Sequence, residues 1–263
     1  MSTKLLLVGG GRMGAALLGG LLNGSWADPG SLAVLDTDAG ARDRIAAAHP
    51  GVVVVTEPVA ADGVVLAVKP DVAEAACRLL ASAPPPRLLS VAAGLSTARL
   101  AAALPPGVAV VRAMPNTPAL IGAGVSAISG GETAVSADLD WAESVLASVG
   151  SVVRLPERYL DAVTGLSGSG PAYLFLVAEA LIDAGVMAGL PAEISRDLVV
   201  GTLVGSARLL AESGDAPGEL RAAVTSPAGT TAAGIRTLEF KAVRSAFIEA
   251  VAAATERSRQ LGR

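Results

Sequence analysis

An α/β architecture, a parallel sheet flanked by helices and followed by an all-α region, is predicted by three observations. Short β-branched and leucine-rich runs alternate with helical patterns through the first half of the 263-residue chain. Beyond about residue 160 no further strand-like run occurs and long helical stretches take over. The chain has 30 glycines but only 3% aromatics, so its interior must pack small and branched aliphatic side chains with backbones close together.

The elements follow in order. A strand over residues 4–8 runs into three consecutive glycines and a helix over about 13–22. A second strand (32–36) precedes a helix at 41–48. The runs 52–55 and 64–68 have the length and β-branching of buried strands, and a helix at 71–80 ends before Pro84, Pro85 and Pro86. Strands at 88–92 and 108–111 follow, and 125–128 and 152–155 flank a helix near 139–149. Strands separated by helices of this length imply βαβ units. Helices are then expected at 171–187, 192–211 and 231–260, the last with a break near Phe240. The punctuation between them is 189–191 and 214–218, and Pro171 suits a first helical position.

Composition excludes several classes. A net charge of −4 and the lack of any long Lys/Arg run argue against nucleic acid or an anionic membrane as partner. One cysteine (Cys77) and one histidine (His49) allow neither an internal disulfide nor a metal site built from thiolates or paired imidazoles, so no metal is expected. Cys77 reads as a small buried residue, His49 as part of a turn, and the chain as cytoplasmic. The uncharged stretches 113–131 and 162–178 are interrupted by Gly, Pro, Ser or Asn and are not expected to span a bilayer. The apolar run at the N-terminus is short for a secretory signal. Apolar positions on the C-terminal helices exceed one face, which predicts burial against a second copy of the chain.

The string Gly9, Gly10, Gly11, Arg12, Met13, Gly14 is a G-x-G-x-x-G pattern placed between an apolar strand and a helix. In that context Gly9 allows the tight turn, Gly11 lets a pyrophosphate approach and Gly14 permits close helix–sheet packing, so a Rossmann-like dinucleotide-binding domain is expected. Its range is 1–158, with an all-α domain over 159–263. Asp36, 22 positions after Gly14, is placed to accept hydrogen bonds from the adenine ribose and would repel a 2′-phosphate. It could equally form a turn before Thr37 and Asp38, and Arg42 and Arg44 are near enough to hold a phosphate, so both NADH and NADPH stay open. Ala67, Val68, Lys69 and Pro70 close the fourth strand, with Lys69 at the helix cap and facing the ligand edge. Ala93 and Gly94 leave room for nicotinamide after the fifth strand, and Asn116, after the sixth, can hydrogen-bond its carboxamide or ribose. Arg112 is a candidate partner for a carboxylate such as Asp161.

Three further segments are distinctive: VRAMPNTP at 111–118, DAVTGLSGSGPAY at 161–173 and AVTSPAGTTAAG at 223–234. With the glycine loop and AVKP at 67–70, they make the chain resemble the pyrroline-5-carboxylate reductase family, in order and over essentially its whole length. The resemblance implies reduction of 1-pyrroline-5-carboxylate to L-proline by NADH or NADPH, the last step of proline biosynthesis. It implies a helical domain that interlocks with a second subunit, as a homodimer or a larger homo-oligomer. Family members that favour NADPH carry a small polar residue where this chain has Asp36. The hydroxyl- and glycine-rich loop 225–231 leads into a helix, whose exposed N–H groups suit a carboxylate. Carboxylate binding is therefore expected from Ser226, Gly229 and Thr230, and the resemblance implies that Thr231 hydrogen-bonds the imine nitrogen. Ordinary helix capping is the competing reading of these hydroxyls.

The chemistry fits the residues present. The cofactor carries the hydride, and an iminium acceptor needs no strong acid–base dyad from the protein. A β-hydroxy-acid dehydrogenase on the same plan needs a lysine early in the helical domain, whereas the only lysines here are Lys4, Lys69 and Lys241. A catalytically silent nucleotide-binding regulator would have no need of the complete 225–234 loop.

Overall fold

The computed structural model describes residues 3–262. Eight strands, β1 (Leu5–Val8), β2 (Leu32–Leu35), β3 (Val53–Val55), β4 (Val64–Leu66), β5 (Arg87–Ser90), β6 (Ala109–Met114), β7 (Gly124–Gly130) and β8 (Gly150–Arg154), form one sheet in the order β3-β2-β1-β4-β5-β6-β7-β8. All eight expected strands are present. The order reverses between β1 and β4, and at such a switch point the strand ends open a ligand crevice.

One expectation needs correcting: the sheet is not parallel throughout. Strands β6 and β7 pair antiparallel, with Arg112 opposite Ser129. Only residues 115–123 join them, including the short 3-10 turn Thr117–Ile121, and a parallel crossover needs a dozen residues or more.

Side-chain alternation along β1 builds two cores. Leu5 and Leu7 pack with Leu17, Leu18 and Leu21 of α1 (Arg12–Asn23) and with Trp141 and Val145 of α5 (Ser136–Leu146). Leu6 and Val8 face the other side, against Ala73 and Cys77 of α3 (Pro70–Leu79) and Leu100 of α4 (Thr97–Ala102). The remaining helix of this layer, α2 (Ala39–Ala48), is capped by Asp38, whose carboxylate accepts from the Ala41 N–H at 2.6 Å. Helix α4 is not among the expected elements. It has only six residues, too few for a periodic pattern, and is started by Ser96, whose Oγ accepts from the Arg99 N–H at 3.2 Å.

Cys77 is the buried small residue expected of it. Burial, reinforced by the nearby Glu74 carboxylate, pushes its thiol up to about 11. The native protein should therefore resist alkylation by iodoacetamide at pH 8, while denatured protein reacts stoichiometrically. A raised folded-state pKa contributes stability that is complete below the unfolded-state value. It is lost as pH climbs through the folded value, so stability should fall by roughly 2–3 kcal/mol between about pH 9 and 11. Urea titrations of wild type and Cys77→Ala across that range test this, because the decline attributable to the thiol should be absent from the variant.

The chain divides into two compact units, one reaching to Ser169 and completed by residues from Ala252 onward, the other Gly170–Val251. In the first unit the helical run continues past β8. Helix α6 (Leu160–Val163) passes into a π turn, Thr164–Gly168, closed by the Ser169 N–H donating to the Thr164 carbonyl at 2.8 Å. The helix start expected here is present, since a helix begins at Gly170 after a bend at Ser169. The interruption expected within 162–178 is slight, and the helical run Glu157–Met187 is long and apolar enough, by length and composition, to cross a membrane. Arg112, 5% exposed, meets the Glu157 carboxylate at 3.3 Å and Asp161 at 3.7 Å, as expected for Asp161. The Glu157 carboxylate also accepts from the N–H and Oγ1 of Thr97, and Asp161 accepts from Ser258 Oγ at 2.8 Å.

The second unit holds α7 (Gly170–Met187), α8 (Ala192–Ser213), α9 (Pro217–Ala223), α10 (Thr230–Phe240) and the start of α11 (Val243–Leu261). Helix α9, not among the expected elements, begins at the end of the punctuation 214–218. Pro217 is its first residue, and Glu219 reaches back to accept from the Ala216 N–H at 2.8 Å. The break expected near Phe240 is present, with Ala242 at φ +56° between α10 and α11. Helices α7 and α8 pack closely where Ser195 Oγ donates to the Ile182 carbonyl, beside Gly185, which has no room for a Cβ. Within one chain Leu174, Phe175 and Leu176 are 58%, 63% and 66% exposed.

Candidate active site

The glycine loop lies at the C-terminal end of β1, at the switch point. Gly9 has φ +103°, and a Cβ there would lie 2.7 Å from the Ala67 carbonyl oxygen, so the β1 and β4 ends approach closely only because it is glycine. Gly14, in the first turn of α1, has the Gly9 carbonyl where its Cβ would be. Gly11 differs: nothing lies within 4 Å of the position its Cβ would take. It caps α1 without any side-chain hydrogen bond. With no side-chain cap, the first-turn N–H groups are left for an anion, and the positive end of the helix dipole adds to such a site. Arg12 and Met13 open the helix, Arg12 exposed and Met13 packed on the core.

Beside this loop lies a cavity of about 250 Å³, lined mainly by Val8, Gly9, Asp36, Val68, Val72 and Leu79. It has the size and apolar character for a flat heterocycle. The sequence reading missed its α3 wall. The signal was present: Val72, Ala75, Ala76 and Leu79 make a helical stripe beside the core-facing one, with Ala76 touching the core and Val72 and Leu79 exposed. Another cavity, of about 620 Å³, opens among Lys4, Trp26 and His49 at the opposite end of the strands, away from the glycine loop.

Asp36 follows β2. One carboxylate oxygen accepts from the Gly10 N–H at 2.7 Å and the other from the Asp38 N–H at 2.8 Å. It thus forms the turn weighed from the sequence and also ties the glycine loop to the β2 end. Lys69 caps α3 with Pro70 in the first turn, as expected, and its side chain is exposed. Ala67 and Val68 are half-buried, and Val68 lines the cavity.

Two other expected cofactor residues carry structural duties. Asn116 Oδ1 accepts from the Val125 N–H at 2.9 Å, and its Nδ2 donates to the Ser167 carbonyl at 3.3 Å. Ser167 is four residues before Pro171, which has no N–H to offer it, so Asn116 supplies the donor that the helix lacks. Gly94, φ +79° and buried, lies against Leu261 and Gly262, while Ala93 is half-buried.

In the second unit, Thr230 begins α10 with Gly229 as its cap, and no side chain caps it. The competing reading of the hydroxyls as capping groups therefore does not describe this helix start. Ser226 Oγ lies where a Cβ on Gly229 would be, so the loop hydroxyl packs directly on the helix cap. Ala228 holds a left-handed φ of +60°, which turns the chain into the helix. Thr231 is half-buried in the first turn, and an adjoining cavity of about 290 Å³ is lined by Ala228, Gly229, Ala232, Ala233 and Arg236. Arg236, one and a half turns on, is a cation that the sequence reading did not single out.

A mostly parallel sheet with an uncapped glycine turn at its switch point defines an NAD(P)-dependent oxidoreductase, and the family model for coenzyme F420-dependent NADP oxidoreductases matches residues 4–94. The family model for pyrroline-5-carboxylate reductase dimerisation matches residues 157–261. A pyrroline-5-carboxylate reductase of Synechocystis sp. is 41% identical over the full length of both chains. The structure of such a reductase from Coxiella burnetii superposes with a TM-score of 0.92 at 34% identity, covering 100% of each chain. That from Plasmodium falciparum, with NADP bound, gives 0.85 at 30% identity, covering 99% of this chain and 98% of the other. The chain belongs to the pyrroline-5-carboxylate reductase family.

Proposed function

We infer that this protein reduces 1-pyrroline-5-carboxylate to L-proline with NADH or NADPH, the last step of proline biosynthesis, as a cytoplasmic homodimer or larger homo-oligomer. The observation that carries this is full-length identity of 41% to a named reductase, in a chain that keeps both the open glycine turn and the uncapped helix start at Thr230. A functional division follows, with nucleotide binding in residues 1–158 and substrate binding and dimerisation in 159–263. The exposed apolar surface of α7 belongs in the subunit interface, since the dimerisation model spans it.

The nucleotide, when bound, supplies the hydride. Gly9, Gly10, Gly11 and Gly14, with the first turn of α1, hold its pyrophosphate, and Val68 with the α3 stripe encloses the adenine. Ala67, Lys69 and Pro70 shape the β4 edge of that site, and Ala93 and Gly94 border the nicotinamide. Asn116 serves by fixing the β6–β7 turn against the π turn. Ser226, Gly229 and the N–H groups of Thr230 and Thr231 bind the substrate carboxylate, with Arg236 adding positive charge. The ring nitrogen arrives protonated as the iminium and donates that N–H to the Thr231 hydroxyl oxygen, which orients the C=N bond; once its ring carbon has taken the hydride, the nitrogen is the secondary amine of proline.

Steady-state assays with each nucleotide and pyrroline-5-carboxylate test the activity; nucleotide binding without turnover would refute it. Thr231→Val should lower kcat by 10-fold or more, equivalent to about 1.4 kcal/mol of transition-state stabilisation, while the nucleotide Kd stays unchanged. A variant as active as wild type would remove Thr231 from the mechanism.

A further inference from the structure

We propose that Asp36 makes this enzyme select NADH over NADPH. The proposal rests on the nucleotide site described above and deepens it. Asp36 and Thr37 form part of the wall of the 250 Å³ cavity, where the adenosine end is held. Each Asp36 carboxylate oxygen already holds one backbone N–H, from Gly10 and from Asp38, so the carboxylate is fixed in place. A carboxylate offers about four acceptor positions. Two therefore remain for the ribose 2′- and 3′-hydroxyls, both of which can donate. A 2′-phosphate replaces one donor by a group that can only accept and sets two to three negative oxygens beside a fixed negative charge.

Within the β2–α2 segment, the nearest cation to Asp36 is committed elsewhere. Arg42 folds back to the end of β2, where its Nη1 donates to the Asp36 carbonyl at 2.9 Å and the Thr37 carbonyl at 3.0 Å. The Arg44 guanidinium lies back along α2, close to Gly40. Residues 36–44 hold three acids (Asp36, Asp38, Asp43) against two bases (Arg42, Arg44), so the segment is negative by one charge. Reorganising Arg42 onto a phosphate would strip two carbonyls of their donor.

Calorimetric titration of the full-length protein with NADH and with NADPH, without substrate, tests this. NADH should bind at least 10-fold more tightly. Asp36→Asn, which keeps an acceptor for a backbone N–H but removes the charge, and Asp36→Ser should each bring the ratio of the two Kd values below about 3-fold. The ratio is the readout because loss of the Gly10 bond weakens both nucleotides alike. Equal or tighter NADPH binding by the wild type, or a ratio unmoved in both variants, overturns the proposal. Failure to turn over pyrroline-5-carboxylate would refute the reductase reading but leave these binding ratios decisive.

Discussion

Gly14→Ala will abolish measurable nucleotide binding and destabilise the first unit, whereas Gly11→Ala will remove binding alone. The two glycines sit in one motif but do different work. A Cβ on Gly14 collides with the Gly9 carbonyl and touches Leu7, a fully buried core residue, at 3.0 Å. Neither neighbour can yield, because Gly9 is pinned by its N–H bond to the Leu35 carbonyl and by the approach of Ala67. Overpacking of this kind costs about 1–3 kcal/mol and must push α1 off the sheet. A Cβ on Gly11 meets only open space, and its φ of −68° suits any residue. Folding stability should then change by less than about 0.5 kcal/mol. The methyl group would nonetheless occupy the space through which a pyrophosphate reaches the helix N–H groups, and Kd should rise by roughly 100-fold, about 2.7 kcal/mol. Calorimetry and thermal melting on both variants separate the effects. Normal NADH binding by Gly11→Ala would show that the phosphates lie elsewhere.

Phe175→Glu should convert the protein to a poorly folded monomer. Phe175 lies between Leu174 and Leu176 on a helix that buries almost none of its side chains within its own chain, Pro171 being the buried one. Losing a large buried apolar side chain costs about 1.5–3 kcal/mol, before the cost of confining a carboxylate. With two copies per dimer the total is about 6 kcal/mol, or roughly 10⁴-fold in the dimer dissociation constant. Because little else covers α7, the monomer should unfold at lower temperature, with a melting point independent of concentration, whereas that of the wild-type dimer rises with concentration. Sedimentation velocity reads the association directly. A variant that remains a dimer with an unchanged melting point would place the interface on another surface.

The sequence made the sheet legible because its strands are buried on both faces. Leu5–Val8 and Val64–Leu66 therefore read as continuous apolar runs rather than as weak alternations. The glycine loop was legible from its spacing between an apolar strand and a helix, although the groups that demand glycine at 9 and 10, Ala67 and Ile45, lie far along the chain. What escaped were features set by partners distant in sequence. The antiparallel turn of β7 follows from a connection too short for a crossover. The adenine wall on α3 is a second, exposed stripe that core-directed reading passes over. Asn116 was expected to reach cofactor, yet its partners, Val125 and Ser167, lie 9 and 51 residues away. The helix start at Pro171 was legible, but the turns just before it were not: the Ser167 carbonyl, which Pro171 cannot serve, takes its donor from Asn116 on another element.

The return of the chain's last residues to the first unit has a consequence for biosynthesis. Ser258 completes the Asp161 end of the Arg112 cluster, and Leu261 and Gly262 cover Gly94. A nascent chain emerging from the ribosome presents its whole eight-stranded sheet long before these residues exist. The contacts of Ser258, Leu261 and Gly262 therefore close the first unit after its sheet, and a chain interrupted before residue 258 would carry an intact sheet with an unfinished seam, a ready substrate for quality-control proteases.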